Sequence, residues 1–173
     1  MSRCLIHLSA LMLLLGLSGC SGVPAVSVPG PTHWFADKSM LEVAEVARGG
    51  QCRDVVSQAA IMILPNLATT QRWAAERGIT IKRGKNQDLL DAPYAVILLG
   101  HKQTGGYGVA VSRQAQLKND VVQLNATFFD PAPGRWSGSD PTNPCAIVSL
   151  PPRQYAGAEL YDQSGTLRAA SAR

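Results

Sequence analysis

A chain of 173 residues with a formal net charge of +4 is one domain plus extras, too mildly basic to point to a nucleic-acid partner, and none is expected. Its 46% hydrophobic content is inflated by the amino terminus, and beyond that terminus only His33 and His101 remain as histidines. With neither H-E-x-x-H nor C-x-x-C in the chain, no metal site and no cofactor is expected.

Residues 1–19 hold one charge, Arg3, ahead of an apolar run over residues 8–17. That run is too short to cross a bilayer and has the flanks of an export signal. Leu17-Ser18-Gly19-Cys20 resembles a bacterial lipobox. The resemblance implies that Cys20 is acylated and becomes the first mature residue, anchoring the protein in a membrane. Ser21 follows the cysteine, which resembles outer-membrane sorting, so the expected location is that membrane, facing the periplasm or the surface. Removing residues 1–19 leaves 15 basic and 12 acidic residues, a charge of +3. Residues 21–32 are a Ser, Gly, Pro and Val tether with no periodic face, with a reach of roughly 40 Å when extended. A single globular domain is expected over residues 33–173.

Residues 39–42, Ser-Met-Leu-Glu, suit a helix capping box, while the apolar spacing up to Val46 suits a strand, which the following residues favour. Gly49-Gly50 reads as a turn and residues 59–64 as a short apolar strand. Asn66 or Thr69 then caps a helix running to about residue 77, with Trp73 on its buried face and Gly78 ending it. Residues 79–83 read as a short extended piece, and Lys82-Arg83-Gly84-Lys85 as a solvated turn. Residues 94–99 are continuously apolar, as in a strand buried on both faces. Residues 107–111 alternate, and the polar glycine-rich loop 100–106 makes the two segments read as a central hairpin.

That loop is no phosphate cradle. Tyr107 stands where the lysine of G-x-x-x-x-G-K-[ST] belongs, and no helical pattern follows. Residues 121–129 alternate with one wet face, suited to antiparallel pairing with 107–111. Residues 146–150 form another strand. Residues 158–161 and 166–168 make a terminal hairpin, followed by a small-residue tail expected to fray. The fold class is therefore β-rich α+β, a mostly antiparallel, sandwich-like sheet arrangement with one main helix at about 66–77.

The segment GHKQTGGY, Gly100 to Tyr107, resembles the G-x-x-P-T-G-G-Y segment of the protease complex subunit PrcB family, in its C-terminal domain. Asn143-Pro144-Cys145-Ala146-Ile147-Val148 is similar to that family's T-S-P-[YC]-x-[IV]-[VI] strand, and the likeness runs from about residue 59 to 150. Gln103 replaces the usual proline, and Gly138-Ser139-Asp140-Pro141 replaces a smoother loop. The resemblance implies an accessory subunit of a surface protease complex, with a protein partner and no catalytic residues to carry over.

Two constellations invite chemistry. Cys4 leaves with the signal and Cys20 takes lipid, so Cys52 and Cys145 remain, and in an oxidising compartment such a pair is expected to bond. The bond would close a loop of about 94 residues, stabilising by roughly 4–5 kcal/mol in the chain-entropy model. The rival, a nucleophilic Cys145 served by His101, needs a free thiolate. A dispersed Ser-His-Asp triad is the other enzymatic alternative, though no G-x-S-x-G elbow is present. Asp88, Asp91, Glu42 and Glu45 read as solvated charges. The second constellation is the loop 130–144, with four prolines and two glycines around Arg135 and Trp136. It reads either as an interface loop or as a tryptophan folded over the sheet's open end. It follows the strand 121–129, and the TGG loop precedes the strand 107–111, so antiparallel pairing brings both loops to one edge. Thr104, Gly105, Gly106, Tyr107, Arg135 and Trp136 are the expected partner-binding residues. A structural lipoprotein touching peptidoglycan or lipid is the non-enzymatic alternative.

Overall fold

A strand that is apolar on both faces needs cover on both, and this requirement organises the molecule. The computed structural model describes residues 39–52, 56–81, 91–132, 134 and 138–172. In chain order the elements are β1 (Met40–Glu42), β2 (Ala44–Gly49), β3 (Ala60–Leu64), α1 (Leu67–Ala75), β4 (Tyr94–Leu98), β5 (Gly108–Lys118), β6 (Val121–Phe129), β7 (Cys145–Ser149), β8 (Gly157–Tyr161) and β9 (Leu167–Ala172). They form two sheets, β1-β5-β6-β8-β9 and β2-β7-β4-β3. All strand pairings are antiparallel except β6 with β8. Strand covers 50% and helix 8% of the described residues, the expected β-rich α+β class.

All five residues of β4 are buried. Ala95, Ile97 and Leu99 face the core between the sheets, with Val122, Leu124, Val148 and Leu160. Tyr94, Val96 and Leu98 face the other way, into a second cluster with Ile147, Ala74 and Ile79. Period-two alternation with apolar residues at both parities is what writes the unbroken run. Each large side chain so buried contributes roughly 1.5–3 kcal/mol.

Helix α1 covers the second cluster. The Asn66 side chain caps it, Oδ1 accepting from the Thr69 N–H at 2.9 Å, and Gly78 ends it at φ +67°. Thr70 and Ala74 are its buried residues. Trp73 is half-buried against the cluster, with the Arg77 guanidinium 4.2 Å from its ring centroid. The segment at 39–46 is strand rather than helix. It changes sheet at one residue, Val43, which is buried between the two and donates its N–H to the Arg113 carbonyl at 2.9 Å.

Three expectations need correction. β4 and β5 belong to different sheets, so residues 94–111 are not a hairpin. The loop between them sends its main-chain hydrogen bonds to residues 56 and 142 and carries the chain from one sheet to the other. β5 is also longer than the expected 107–111. A register shift between Val111 and Ala115 breaks its alternation, after which Ala115 and Leu117 turn inward again. The carboxy-terminal tail is not frayed. β9 pairs with β8 out to Gly157↔Ala172, and Ala169 packs on the core. A run of small residues carries little hydrophobic signal, yet small side chains suit an edge strand lying close over a core. Residues 79–81 form no strand, and 82–90 lie outside the described residues.

Two local devices fix the other connections. Asn119 and Asp120, at φ 52° and 61°, form the two-residue turn of the β5–β6 hairpin. Tyr155, buried before β8, donates its hydroxyl to the Pro151 carbonyl at 3.0 Å, and burial pushes its pKa up to about 12.

Candidate functional site: a three-segment loop platform

The start of β5 and the end of β6 lie side by side, Gly108 paired with Phe129. The glycine loop before β5 and the loop after β6 therefore meet at one end of the molecule. Lys102 and Thr142 exchange main-chain hydrogen bonds at 2.8 and 2.9 Å. The Thr142 hydroxyl donates to the Thr104 carbonyl at 2.9 Å, and the Gly105 N–H reaches the Gly138 carbonyl at 3.4 Å. The expected clustering of these two loops is thus a set of named bonds.

A third segment, which the sequence did not single out, forms the floor. The Asn143 N–H donates to Gly50 at 3.0 Å, and the Cys52 N–H donates to Asn143 at 2.9 Å. Gln51 Nε2 donates to the Pro141 carbonyl at 2.7 Å. Farther on, the His101 N–H donates to Val56 at 2.8 Å. Gly100 sits at φ +76°, and a Cβ there would lie 2.7 Å from the Gln58 carbonyl oxygen. Glycine is required at that position both for its backbone conformation and for the close approach. The bond between Cys52 and Cys145 carried the information that 50–52 lies beside 143–145, but its use needs the pairing to be taken as a geometric restraint.

That bond is present, with Cα atoms 6.0 Å apart and both residues at 1% exposure or less. Its sulfurs are not thiolates, so the Cys145–His101 nucleophile is excluded in this state. The His101 side chain is exposed. Among the described residues, no three or more of His, Cys, Asp and Glu are placed to hold a metal ion.

The platform's surface combines a cation with aromatics. Lys102 Nζ lies 5.1 Å from the Tyr107 ring centroid. Phe129 is 48% exposed and lies alongside Gly108, where an added Cβ would sit 3.8 Å from its ring. Of the expected binding residues, Thr104, Gly105 and Tyr107 are half-buried in the loop, and Gly106 is exposed at φ +85°. Arg135, Trp136 and Cys20 lie outside the described residues. Two of the acids are engaged elsewhere: Glu45 pairs with Arg48 at 2.7 Å, and Asp91 accepts from the Leu67 N–H at 3.3 Å. Asp88 is outside the described residues.

A cleft of about 480 Å³ lies elsewhere, beside the edge strands β3 and β9, lined by Met62, Ile63, Pro65, Pro93, Tyr155 and Ser171 among others. Pro93 precedes β4 whereas the platform follows it, so the two sites are at opposite ends of that strand.

Against known families, residues 94–151 match the model described as PrcB C-terminal. The match takes in β4, the glycine loop, the β5–β6 hairpin, the loop beyond it and β7. It starts later than the expected residue 59, leaving β3 and α1 outside. No curated protein and no solved structure matches the chain.

Proposed function

We propose, taking the PrcB C-terminal match of residues 94–151 as the premise, that this is an accessory, protein-binding domain of a protease complex with no chemistry of its own. It is a single domain spanning 33–173, carried on an outer-membrane lipid anchor at Cys20 through the tether 21–32. The match implies a protein partner in such a complex. The observation that carries the reading is the placement of the family-like segment Gly100–Tyr107. It is tied by main-chain bonds to residues 56 and 142 at one end of a rigid sandwich, with Lys102, Tyr107 and Phe129 at its surface. Loops held on a rigid scaffold are where binding residues concentrate, and exposed aromatic side chains such as Tyr and Phe are enriched at interface centres.

The test is affinity capture of the tagged protein from detergent-solubilised membranes, followed by mass spectrometry. A protease should be recovered with the unaltered chain and lost with Lys102→Glu or Phe129→Ser, while thermal melting of either variant stays within about 2 °C. Turnover of generic ester or peptide substrates by the purified domain would establish the hydrolase reading instead. Co-sedimentation with cell-wall sacculi, with no protease recovered, would establish the structural one. Cys20→Ala should shift the protein from the detergent-rich phase to the aqueous phase; unchanged partitioning overturns the anchor.

A further inference from the structure

The disulfide lies under the platform, which gives it a consequence beyond general stability. Residues 50–52 and 56–58 are gripped at three places: by Asn143 and Pro141, by the contact of Val56 and Gln58 with residues 100–101, and covalently by Cys145. Gly49, the last residue of β2, is directly paired with Cys145, and a Cβ added to it would meet the Cys52 sulfur at 3.0 Å. Beyond β2, the described bonds holding 50–52 and 56–58 in place, the disulfide apart, are a few single hydrogen bonds, each of modest net value. The covalent bond is the only described link there that solvent cannot exchange.

We infer that the Cys52–Cys145 bond is a redox latch on the loop platform: its reduction releases residues 50–52 and 56–58, and with them the register of 100–106 and 138–144, while leaving the sandwich folded. The reaction is thiol–disulfide exchange with a dithiol. A thiolate of the dithiol attacks one cysteine sulfur and forms a mixed disulfide with it, the Cys52–Cys145 S–S bond breaks, and the other cysteine leaves as a thiolate and takes up a proton. The second thiol of the reductant, as its thiolate, then attacks its own sulfur in the mixed disulfide, closing the reductant's disulfide and freeing the first cysteine, which is protonated in turn. Two electrons and two protons pass to the protein. With both cysteines buried, attack requires local opening of the floor, so the unstrapped state is sampled before it is trapped. That this matters for partner capture rests on the function proposed above; the latch itself does not.

The experiment is hydrogen exchange read by mass spectrometry on the whole protein, oxidised, and again after reduction with dithiothreitol and alkylation of the freed thiols. Peptides covering 100–106 and 138–144 should exchange about tenfold faster or more after reduction, at labelling times over which peptides from β6 and β8 stay protected in both states. The Cys52→Ala/Cys145→Ala variant supplies the same comparison without alkyl groups. Unchanged exchange in 100–106 overturns the latch. Uniform loss of protection, or a variant that does not fold, also overturns it by making the bond a global staple. Capture of the partner by the reduced protein is scored separately. If exchange localises as expected and capture is unaffected, the latch holds and the binding reading fails.

Discussion

Two loop regions at the same end of the sandwich fasten themselves by different means, the platform beside Phe129 and the β8–β9 turn, whose Gln163 side chain bonds the Phe128 backbone. At the platform, a covalent bond and main-chain hydrogen bonds between segments distant in sequence hold residues 50–52, 56–58, 100–106 and 138–144 together. At the β8–β9 turn, one carboxylate does the work locally. Asp162 Oδ1 accepts from the Ser164 N–H at 2.9 Å, the Ser164 hydroxyl at 2.6 Å and the Thr166 N–H at 3.0 Å. Its Oδ2 accepts from Arg168 at 3.2 Å. The first arrangement answers to redox state and the second to proton concentration. A long-range closure gains from a covalent link because chain entropy is what opposes it. A five-residue turn needs only an acceptor aimed at its own amides.

The strongest way to break this contrast is to remove the link. Cys52→Ala/Cys145→Ala should lower unfolding free energy by roughly 4–5 kcal/mol in urea titrations. Native Cys52 and Cys145 should resist alkylation under denaturing, non-reducing conditions; free reaction of both would discard the bond. Next comes glycine placement. Gly100→Ala meets the Gln58 main chain at 2.7 Å as well as a left-handed backbone, and should cost roughly 2–5 kcal/mol. Gly165→Ala, in the β8–β9 turn at φ +77° with open space around it, should cost only about 1–2 kcal/mol. Equal costs would erase the distinction between a crowded junction and a simple turn. Gly106→Val, at φ +85°, should also damage folding, because β-branched residues tolerate that conformation poorly. Tyr155→Phe, which removes the bond to Pro151, should cost about 0.5–1.5 kcal/mol.

The smallest effect is the acid limb. The Ser164 hydroxyl, the Thr166 and Ser164 amides and Arg168 hold the Asp162 pKa down from 3.8 to about 2. The unfolded chain therefore takes up this proton first. The contribution is intact above pH 3.8 and fades as pH falls toward 2. Hydrogen bonds from Tyr161 and Gln123 hold Glu159 down as well, so it adds to the same limb. Melting curves of the unaltered chain and Asp162→Asn should converge as pH drops through this window. Parallel curves would show that the turn does not depend on the charge.

What was legible in the sequence follows from the range of the interactions that wrote it. β4, β6 and the cap at Asn66 are announced by local periodicity and one polar residue, and they stand where expected. Residues 112–118 of β5 carry no clear strand signal because the register shift puts the exposed Arg113 between the inward Val111 and Ala115, at the same parity, and so interrupts the apolar alternation. The start of the edge strand β9 is expected as half of the terminal hairpin, but its continuation to residue 172 is not, because alanine and serine carry no hydrophobic contrast. In the candidate site, Thr104 to Tyr107 stood out by composition, and their meeting with 138–144 followed from antiparallel pairing. Val56 and Gln58 gave no signal, since their role is to offer backbone to residues more than forty positions away, and neither did Gln51, whose side-chain amide meets a carbonyl 90 positions away.

The pairing of β2 with β7 has a consequence for how the chain reaches this state. Residues 44–49 wait for residues 145–149 before they have their partner strand. Cys52 comes within reach of Cys145 only when Gly49 is already opposite it. Pairings this distant are slow, typically on the millisecond-to-second scale, because loop closure comes before any contact repays it. In a chain that emerges amino terminus first, β2 and the apolar β3 and β4 are therefore exposed until most of the polypeptide is out. Oxidation of the cysteine pair then marks the end of folding rather than its beginning, so the appearance of the disulfide during refolding is a timer for closure of the second sheet.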